Sequence, residues 1–248
     1  ITDEKIDSFI ECGINRVSFG VQDFDSTVQE AINRVQPYDM VSKVVQKLRD
    51  KGVDSINFDL IYGLPCQSVE TMEETINLTN KINPDRIALY GYAHVPHIKK
   101  HQKVLEQYPM PDTKQRFDMF STAKSMLAEI NYDFIGLDHF VKSTDSMSTA
   151  FKENKLHRNF QGYTTDKNKT MLSIGTTAIG QTPTSYMQNA HDLPEYRKLL
   201  DENKLPITKF IQLNNDDVAR REVIEKLLCY YKVDLNSIIN KYSLDENY

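Results

Sequence analysis

An α/β fold built on parallel strands is predicted by two features of the first 95 residues. Apolar stretches rich in β-branched and aromatic residues recur about every 35 residues, and amphipathic helical segments separate them. This spacing suits a (β/α) barrel or an open doubly wound sheet. No G-x-G-x-x-G sequence follows any of these stretches, which argues against a dinucleotide-binding sheet. We therefore favour the barrel.

Four strands are predicted in the order in which the apolar stretches occur. The first three cover residues 17–21, 55–64 and 86–93, and a fourth covers residues 134–140. Alternation with helices predicts that consecutive strands run parallel and are joined by crossover helices.

Three helices are predicted between these strands from capping residues and apolar spacing. Asp39 is expected to cap the first, which Gly52 ends, and Ser68 is expected to cap the second, which Asn83-Pro84 ends. The third helix carries four apolar residues at helical spacing, namely Phe117, Phe120, Leu127 and Ile130.

After residue 165 the alternation weakens and helical segments dominate the prediction. Helices are expected over residues 195–204 and 218–231, with another starting near Asn236. We therefore divide the chain into the later part of a barrel domain with its adjoining segment, residues 1–200, and the start of a mostly helical domain, residues 201–248.

Composition excludes several classes of protein. The net charge of −5 comes from 30 basic and 35 acidic residues mixed along the chain, which gives no basic face for nucleic acid. The sequence has neither a run of about 18 apolar residues nor a signal peptide. Three widely separated cysteines, Cys12, Cys66 and Cys229, fit free thiols in a reducing cytoplasm. Because the first residue is Ile1, we expect the numbering to begin inside a longer protein.

Polar residues near the ends of the predicted strands are the first candidates for a site. Gln22, Asp59 and His94 each lie at or just inside a carboxyl end, which carries the active site in barrels and open α/β sheets. Asp59 interrupts an apolar strand and needs a partner, because burying a lone carboxylate is very costly. It either serves a ligand or pairs with Arg34 or Arg86.

Histidines and cysteines give weaker signals. The sequence His94-x2-His97-x3-His101 suggests a metal site, but Pro96 and two following lysines disfavour one. Cys66 lacks a basic partner by spacing, so a structural thiol is the better interpretation, and Cys229 is expected in the core. His139 follows Asp138, but adjacent strand residues face opposite ways, so its role stays open.

The stretch from His157 to Thr165 contains a basic pair, two aromatics, an amide and a glycine, and almost nothing aliphatic. Such a composition favours contact with a ligand over burial in a core. This stretch resembles a signature of the oxygen-independent coproporphyrinogen III oxidases, which are radical S-adenosylmethionine (SAM) enzymes. Further segments resemble that family in the same order: residues 13–18 and 20–24, Asn33-Arg34, residues 59–65, residues 83–86, Tyr92-Ala93-His94 and Asp138-His139-Phe140.

The resemblance implies a partial (β/α)6 barrel with a mostly helical C-terminal domain. The family binds two SAM molecules. The resemblance implies that Gln22, Arg34, Asp59 and Ala93 contact a SAM molecule and that Ile179 lies beside the cluster-bound SAM, with Gln161 close to the site. In these roles, Asp59 accepts hydrogen bonds from ribose hydroxyls, and Arg34 pairs with the methionyl carboxylate. From its charge and position, Arg158 is expected to serve the substrate.

The reaction implied by the resemblance is the oxidative decarboxylation of coproporphyrinogen III to protoporphyrinogen IX in haem biosynthesis. A [4Fe-4S] cluster cleaves SAM, and the 5′-deoxyadenosyl radical takes hydrogen from two of the four propionates. The expected partners are coproporphyrinogen III and an electron donor such as flavodoxin or ferredoxin. The protein is expected to be cytoplasmic and monomeric.

This chain departs from the family in lacking the Cys-x3-Cys-x2-Cys motif that holds the cluster. We therefore expect an interior piece of the enzyme that is inactive alone, with the cluster ligands outside the chain. Two other classes stay open: a haem-carrying paralogue without oxidase activity, and an unrelated phosphate-binding barrel enzyme. The stretch from His157 to Thr165 favours the oxidases over the haem carriers.

Overall fold

The computed structural model describes residues 2–245, and the chain divides into two compact units, residues 1–148 and 149–248. The first unit alternates strands and helices as the sequence predicts, up to β3. Its elements are α1 (Asp3–Glu11), β1 (Arg16–Gln22), α2 (Ser26–Ala31), α3 (Tyr38–Asp50), β2 (Ser55–Tyr62), α4 (Val69–Ile82), β3 (Arg86–Gly91), a 3-10 helix (Lys100–Gln107), α5 (Thr113–Glu129), β4 (Tyr132–Ile135) and β5 (His139–Lys142).

The strands of this unit form one mixed sheet in the order β1-β2-β3-β5-β4. β1, β2 and β3 are mutually parallel, which confirms the crossover arrangement predicted from the alternation. The prediction of one fourth strand over residues 134–140 is wrong. Residues 132–142 fold into a hairpin of β4 and β5, and β5 pairs antiparallel to β3. The turn between them contains Gly136, whose φ of 55° lies in the left-handed region.

The helix boundaries follow the capping chemistry at most ends. Ser68 accepts a hydrogen bond from the Thr71 amide and caps α4, which ends at a left-handed Asn83, as predicted. Gly52 follows the cap of α3 with a φ of 83°, as its stop signal requires. Asp39 is not the cap of α3, because the helix already begins at Tyr38 after Pro37, and Asp39 lies in its first turn.

One face of the sheet packs against helices and forms the core of the first unit. Along β2, every second residue from Ile56 is buried, and the residues between them are half-buried. The core contains side chains from β2 and the covering helices, including Ile56, Phe58, Leu60, Val45, Leu48, Met72, Ile76, Met119 and Leu127. Phe117 differs from the prediction, since its side chain is 68% exposed although it lies on the predicted apolar stripe of α5.

The opposite face of the sheet carries small and polar residues. Strand pairing aligns Ser18 with Asn57, Gly20 with Asp59, Asp59 with Ala88, and Ala88 with His139. We call these six residues the polar face. Because paired residues of neighbouring strands project to the same side, this face presents polar groups in rows across four strands.

The second unit combines helices with short antiparallel strands that the sequence analysis did not predict. A hairpin is formed by β6 (His157–Asn159) and β7 (Gly162–Thr164), and a three-stranded sheet by β8 (Ile179–Thr182), β9 (Ser185–Asn189) and β10 (Ile207–Gln212). The predicted helices are present as α7 (Leu193–Asp201), α8 (Asn215–Tyr230) and α9 (Leu235–Tyr242), whereas α6 (Ser146–Lys152) contains the division between the units. The domain boundary expected at residue 200 stays a prediction.

Within residues 2–245, none of the helices combines the length and the apolar character that crossing a membrane requires.

Candidate functional site

Asp59 lies near the carboxyl end of β2, on the polar face of the sheet. Its carboxylate accepts hydrogen bonds from Asn57 Nδ2 at 2.8 Å and from Ser18 Oγ at 3.2 Å. Neither arginine considered from the sequence is its described partner. Arg86 instead forms a two-pronged ion pair with Asp145, with both N···O distances at 3.0 Å. The carboxylate of Asp59 is half-buried, and its oxygens have lone pairs left for further donors.

Gly20 lies beside Asp59 in the neighbouring strand and gives room to two long polar side chains. A β-carbon at this position would lie 2.6 Å from Gln22 Nε2 and 3.0 Å from Arg34 Nη2, so both side-chain ends would have to move from their present positions. Arg34 Nη2 donates to the Gly20 carbonyl at 2.7 Å, and Arg34 Nε donates to Gln36 Oε1. Gly20 thus brings an amide and a guanidinium over the sheet beside the Asp59 carboxylate, and we call Gln22, Arg34 and Asp59 the strand-end triad.

The backbone of Gln22 is held in an uncommon conformation by the residue that follows it. Gln22 has a φ of 69°, and the pairing of β1 with β2 shifts register between Gly20 and Gln22. Asp23 is wholly buried, and its carboxylate accepts hydrogen bonds from the Asp25 amide, from Thr75 Oγ1 and from Gln67 Nε2. Burial raises the pKa of Asp23, and these hydrogen bonds oppose the rise. The network fixes the end of β1 and hence the direction of Gln22.

Ala93 follows β3 at the same edge of the sheet. Among residues 2–245, no acceptor is found for its backbone N–H, whereas its carbonyl accepts from Gln102 Nε2 at 3.1 Å. The segment therefore presents two neighbouring backbone donors, those of Ala93 and His94, with no partner among the described residues. Ala93 lies two residues beyond the end of β3 and not within the strand predicted over residues 86–93, and its ligand role stays a prediction.

The histidines singled out in the sequence have separate surroundings. His94 Nδ1 lies 3.3 Å from Tyr92 Oη, and His94 Nε2 lies 3.3 Å from Glu106 Oε1. His139 begins β5 on the polar face, and its Nδ1 lies 2.6 Å from Asp138 Oδ1. Asp138 precedes β5 and is not part of the strand, so the rule that adjacent strand residues face opposite sides does not separate this pair. No group of three or more His, Cys, Asp and Glu side chains among residues 2–245 is arranged to hold a metal ion.

The three cysteines are free and lie in different elements. Cys12 is exposed after α1, Cys66 is partly buried in the loop after β2, and Cys229 is buried in α8. Burial raises the pKa of the Cys66 thiol and raises that of Cys229 to about 12. Activated thiols have lowered pKa values, so both environments fit the structural role predicted from the sequence.

In the second unit, Gln161 and Ile179 line one open pocket of about 520 Å³. The pocket wall mixes polar and apolar groups, and two of its lining residues, Leu172 and Ile174, are almost fully exposed. Phe160 contacts Tyr186 edge-to-face at a centroid distance of 4.9 Å. The structure therefore brings together two residues that the sequence analysis placed near one cofactor.

The basic pair at the start of the signature stretch is engaged inside the second unit. His157 Nδ1 lies 2.7 Å from Glu225 Oε1 of α8. The Arg158 guanidinium stacks over the Tyr163 ring at 4.6 Å, and its Nη1 is buried with no hydrogen-bond partner among the described residues. A buried guanidinium nitrogen that lacks an acceptor is costly, which favours an anion or an ordered loop beside Arg158.

Sequence comparison with known proteins indicates the class of protein to which the chain is similar. Residues 1–79 match the model of the radical SAM superfamily, and this unit has the alternating α/β structure described above. The chain is 43% identical to the oxygen-independent coproporphyrinogen III oxidase of Helicobacter pylori, over 98% of the chain and 53% of that protein. It is 41% identical to the protein of the same name from Bradyrhizobium diazoefficiens, over 99% of the chain and 54% of that protein.

A solved structure agrees with the sequence comparison. Coproporphyrinogen III oxidase (HemN) from Escherichia coli, a radical SAM enzyme, superimposes with a TM-score of 0.90 at 36% identity, covering 98% of this chain and 56% of that one. Residues 1–79 are therefore similar to the radical SAM superfamily. The chain is a homologue of the oxygen-independent coproporphyrinogen III oxidases, which confirms the resemblance, and it spans about half the length of the curated relatives it matches.

Proposed function

We propose that the full-length protein catalyses the oxygen-independent decarboxylation of coproporphyrinogen III to protoporphyrinogen IX, using SAM. The observation that carries the proposal is the strand-end triad, which lies in a chain similar over nearly its whole length to enzymes of that name. The haem-carrying alternative and the phosphate-binding barrel are not favoured by any of these relatives.

A partial (β/α)6 barrel is the architecture that this proposal requires. Three parallel strands with helices on one side and the polar face on the other support it, because a barrel places helices outside and the reacting groups within. We infer that the polar face lines the barrel interior.

The strand-end triad fits the polar groups of SAM. The Asp59 carboxylate can accept hydrogen bonds from ribose hydroxyls, and the Arg34 guanidinium can pair with the methionyl carboxylate. The Gln22 amide, which has no described side-chain partner, and the Ala93 N–H add donors at the same edge of the sheet. The 5′-deoxyadenosyl radical that takes hydrogen from a propionate would be supplied by the cluster-bound SAM molecule, which the resemblance puts beside Ile179. The chain's own groups bind and orient the molecule.

The cluster-bound SAM molecule, which the resemblance puts beside Ile179, is proposed for the pocket lined by Gln161 and Ile179. Its lining offers apolar side chains, such as Leu172 and Ile174, that can contact an adenine ring or a thioether. Arg158 is proposed to serve a porphyrinogen propionate, directly or by ordering its loop, since its Nη1 is buried without an acceptor. We further propose a flavodoxin or ferredoxin as the electron donor and a monomeric state. We also propose a cytoplasmic location, which the three unpaired thiols support.

The [4Fe-4S] cluster of radical SAM enzymes does not fit the cysteines of this chain. Cluster binding needs several thiolates converging on one centre, whereas Cys12, Cys66 and Cys229 lie in three separate elements and two of them have raised pKa values.

We therefore predict that this 248-residue chain, reconstituted with iron and sulfide without oxygen, takes up no cluster. Iron analysis and the visible charge-transfer absorption measure this directly. The full-length protein, treated in parallel, is the control and is expected to take up a cluster. Stoichiometric iron with a matching absorption band in the short chain would contradict the prediction.

The proposed function is tested by two arginine variants of the full-length protein. Arg34→Ala should weaken SAM binding and leave coproporphyrinogen binding nearly unchanged. Arg158→Ala should do the reverse, costing about 1–3 kcal/mol of substrate binding if one charged contact is lost. Separate titrations with SAM and with coproporphyrinogen III measure both effects.

Three results would count against these assignments. If both variants lose the same ligand, the two anion sites are wrongly assigned, and if Arg158→Ala unfolds the protein, Arg158 is structural. If the wild-type protein binds haem tightly but does not convert coproporphyrinogen III under anaerobic conditions, the haem-carrying alternative replaces the proposed enzyme.

A further inference from the structure

The segment that carries Ala93 is held in place by side chains and not by the sheet. β3 ends at Gly91, and the Tyr92 amide makes a last strand-like hydrogen bond to the Tyr62 carbonyl at 2.8 Å. Beyond this point no described strand pairs with the segment. The groups that fix it come from the 3-10 helix (Lys100–Gln107) and from α5.

Gln102 binds the segment from the 3-10 helix with both ends of its amide. Its Nε2 donates to the Ala93 carbonyl at 3.1 Å, and its Oε1 accepts from the Val95 amide at 2.7 Å. One partner is an acceptor and the other is a donor, so only one of the two orientations of the Gln102 amide satisfies both. Gln102 is also the buried residue of this 3-10 helix, with 9% of its surface exposed. Burying a glutamine in this way is favourable only when its polar atoms are satisfied.

Arg116 of α5 binds the same segment one residue earlier. Its Nη2 donates to the Tyr92 carbonyl at 2.8 Å, and its guanidinium lies 5.9 Å from the centre of the Tyr62 ring. Gly63, just after β2, allows its close approach, and Gly91 at the end of β3 lies at ordinary contact distance from it. A β-carbon would lie 3.0 Å from Arg116 Nε at Gly63, and 3.4 Å from Arg116 Nη2 at Gly91.

We propose that Gln102 and Arg116 are positioning residues that orient the Ala93 backbone N–H toward the SAM site. This inference rests on the function proposed above, and it adds two residues to which neither the sequence motifs nor the strand ends pointed. We call the pair the strand-end clamp. It satisfies the carbonyls of Tyr92 and Ala93 and the amide of Val95, whereas the N–H of Ala93 has no acceptor among residues 2–245.

The clamp matters because a backbone donor has no rotamer with which to adjust its direction. A peptide N–H points where its two flanking peptide planes place it, so its alignment with a ligand depends on fixing those planes. An irregular segment without such ties would sample several orientations, and binding would then have to order it. Because the clamp already orders the segment in the free protein, binding does not have to order it.

The decisive variant is Gln102→Glu in the full-length protein. Glutamate has nearly the same shape and can still accept from the Val95 amide, but its second oxygen would face the Ala93 carbonyl and repel it. We expect SAM to bind about tenfold more weakly or worse, a factor that corresponds to about 1.4 kcal/mol. The KM for SAM should rise with it, while kcat at saturating SAM changes little, because bound SAM restores the orientation.

Gln107→Glu is the matched control. It makes the same change on the same 3-10 helix, but Gln107 is exposed and makes no described side-chain hydrogen bond. Binding of SAM to the wild-type protein tests the proposed function, whereas the ratio between the two variants tests the clamp. If Gln102→Glu binds SAM within about twofold of Gln107→Glu while remaining folded, the inference is wrong.

Arg116→Ala gives a second, independent test, with Lys114→Ala as its control. Lys114 lies on the same helix, is paired with Asp118 at 2.7 Å and does not contact the segment. A loss of SAM affinity confined to Arg116→Ala supports the clamp. Loss of coproporphyrinogen binding with unchanged SAM affinity would make Arg116 a substrate contact and overturn the inference. If neither Gln102→Glu nor Arg116→Ala folds, the two residues are structural and the inference is also overturned.

Discussion

Gln67→Glu should destabilise the protein by about 3–5 kcal/mol at neutral pH, the cost expected for an uncompensated buried charge. The substitution keeps the shape of the side chain but replaces its amide nitrogen with oxygen. That atom faces both the carboxylate of the wholly buried Asp23 and the Ile61 carbonyl. Rotating the side chain does not remove this repulsion, because both ends of a glutamate are oxygens and the other oxygen already accepts from the Leu64 amide at 2.7 Å.

The loss should depend on pH in a defined direction. Burial already raises the pKa of Asp23 above its ordinary value of 3.8. A carboxyl whose pKa is raised in the folded state contributes stability below its unfolded pKa, and this contribution is lost as the pH rises through the folded pKa. A second carboxyl beside Asp23 strengthens this effect, since the two can share a proton. The variant should therefore be closest to wild-type stability in mild acid, and urea unfolding over a pH series measures it.

Gln46→Glu is the control for this prediction. Gln46 also donates to an aspartate, Asp50, at 2.8 Å, but this pair is exposed on α3. Water screens the new charge there, so we expect a change within about 0.5 kcal/mol. Equal destabilisation by both variants, or a loss from Gln67→Glu that is independent of pH, would contradict a buried network at the end of β1.

Asp59→Asn should lower the affinity of the full-length protein for SAM by about 5- to 150-fold with the fold retained. The variant keeps the shape of the side chain but removes the charge, and hydrogen bonds to a charged group are stronger than neutral ones by about 1–3 kcal/mol in total for two contacts. The protein should tolerate the change, because Asp59 is half-buried and its partners Asn57 and Ser18 can rearrange. Titration of SAM and a thermal unfolding curve measure the two effects separately.

Asp54→Asn provides the comparison at the opposite end of the same strand. Asp54 is exposed just before β2, and its side chain makes no described hydrogen bond. We expect wild-type SAM binding from this variant. If Asp59→Asn behaves in the same way, Asp59 belongs to a purely structural cluster with Asn57 and Ser18.

The fold of the first unit could largely be predicted because its signals are local. Apolar periodicity, Ser68 as a cap and Gly52 as a stop each act within one element, and all three appear in the structure at the expected places. The hairpin of β4 and β5 could not be predicted in the same way. Its direction depends on which strand β5 meets, and the antiparallel pairing of Ala88 with His139 joins residues 51 positions apart.

The second unit shows the opposite balance. Its helices were predicted from spacing, but the three-stranded antiparallel sheet was not, because β8 and β9 are short and rich in polar residues. Such strands carry little hydrophobic alternation, so their pairing is decided by contacts with neighbouring strands.

The sequence by itself predicted candidates for a site: Gln22, Asp59 and His94 were expected at or near the carboxyl ends of strands, and the ends of parallel strands share one edge of a sheet. Only the tertiary structure decided how these residues are supported. Gly20 admits Arg34 over the sheet, Asp23 is fixed by Gln67, which lies 44 residues away, and Gln102 holds the segment of Ala93. The physical reason is that strand ends follow from local periodicity, whereas hydrogen bonds between distant side chains exist only after packing has brought their elements together.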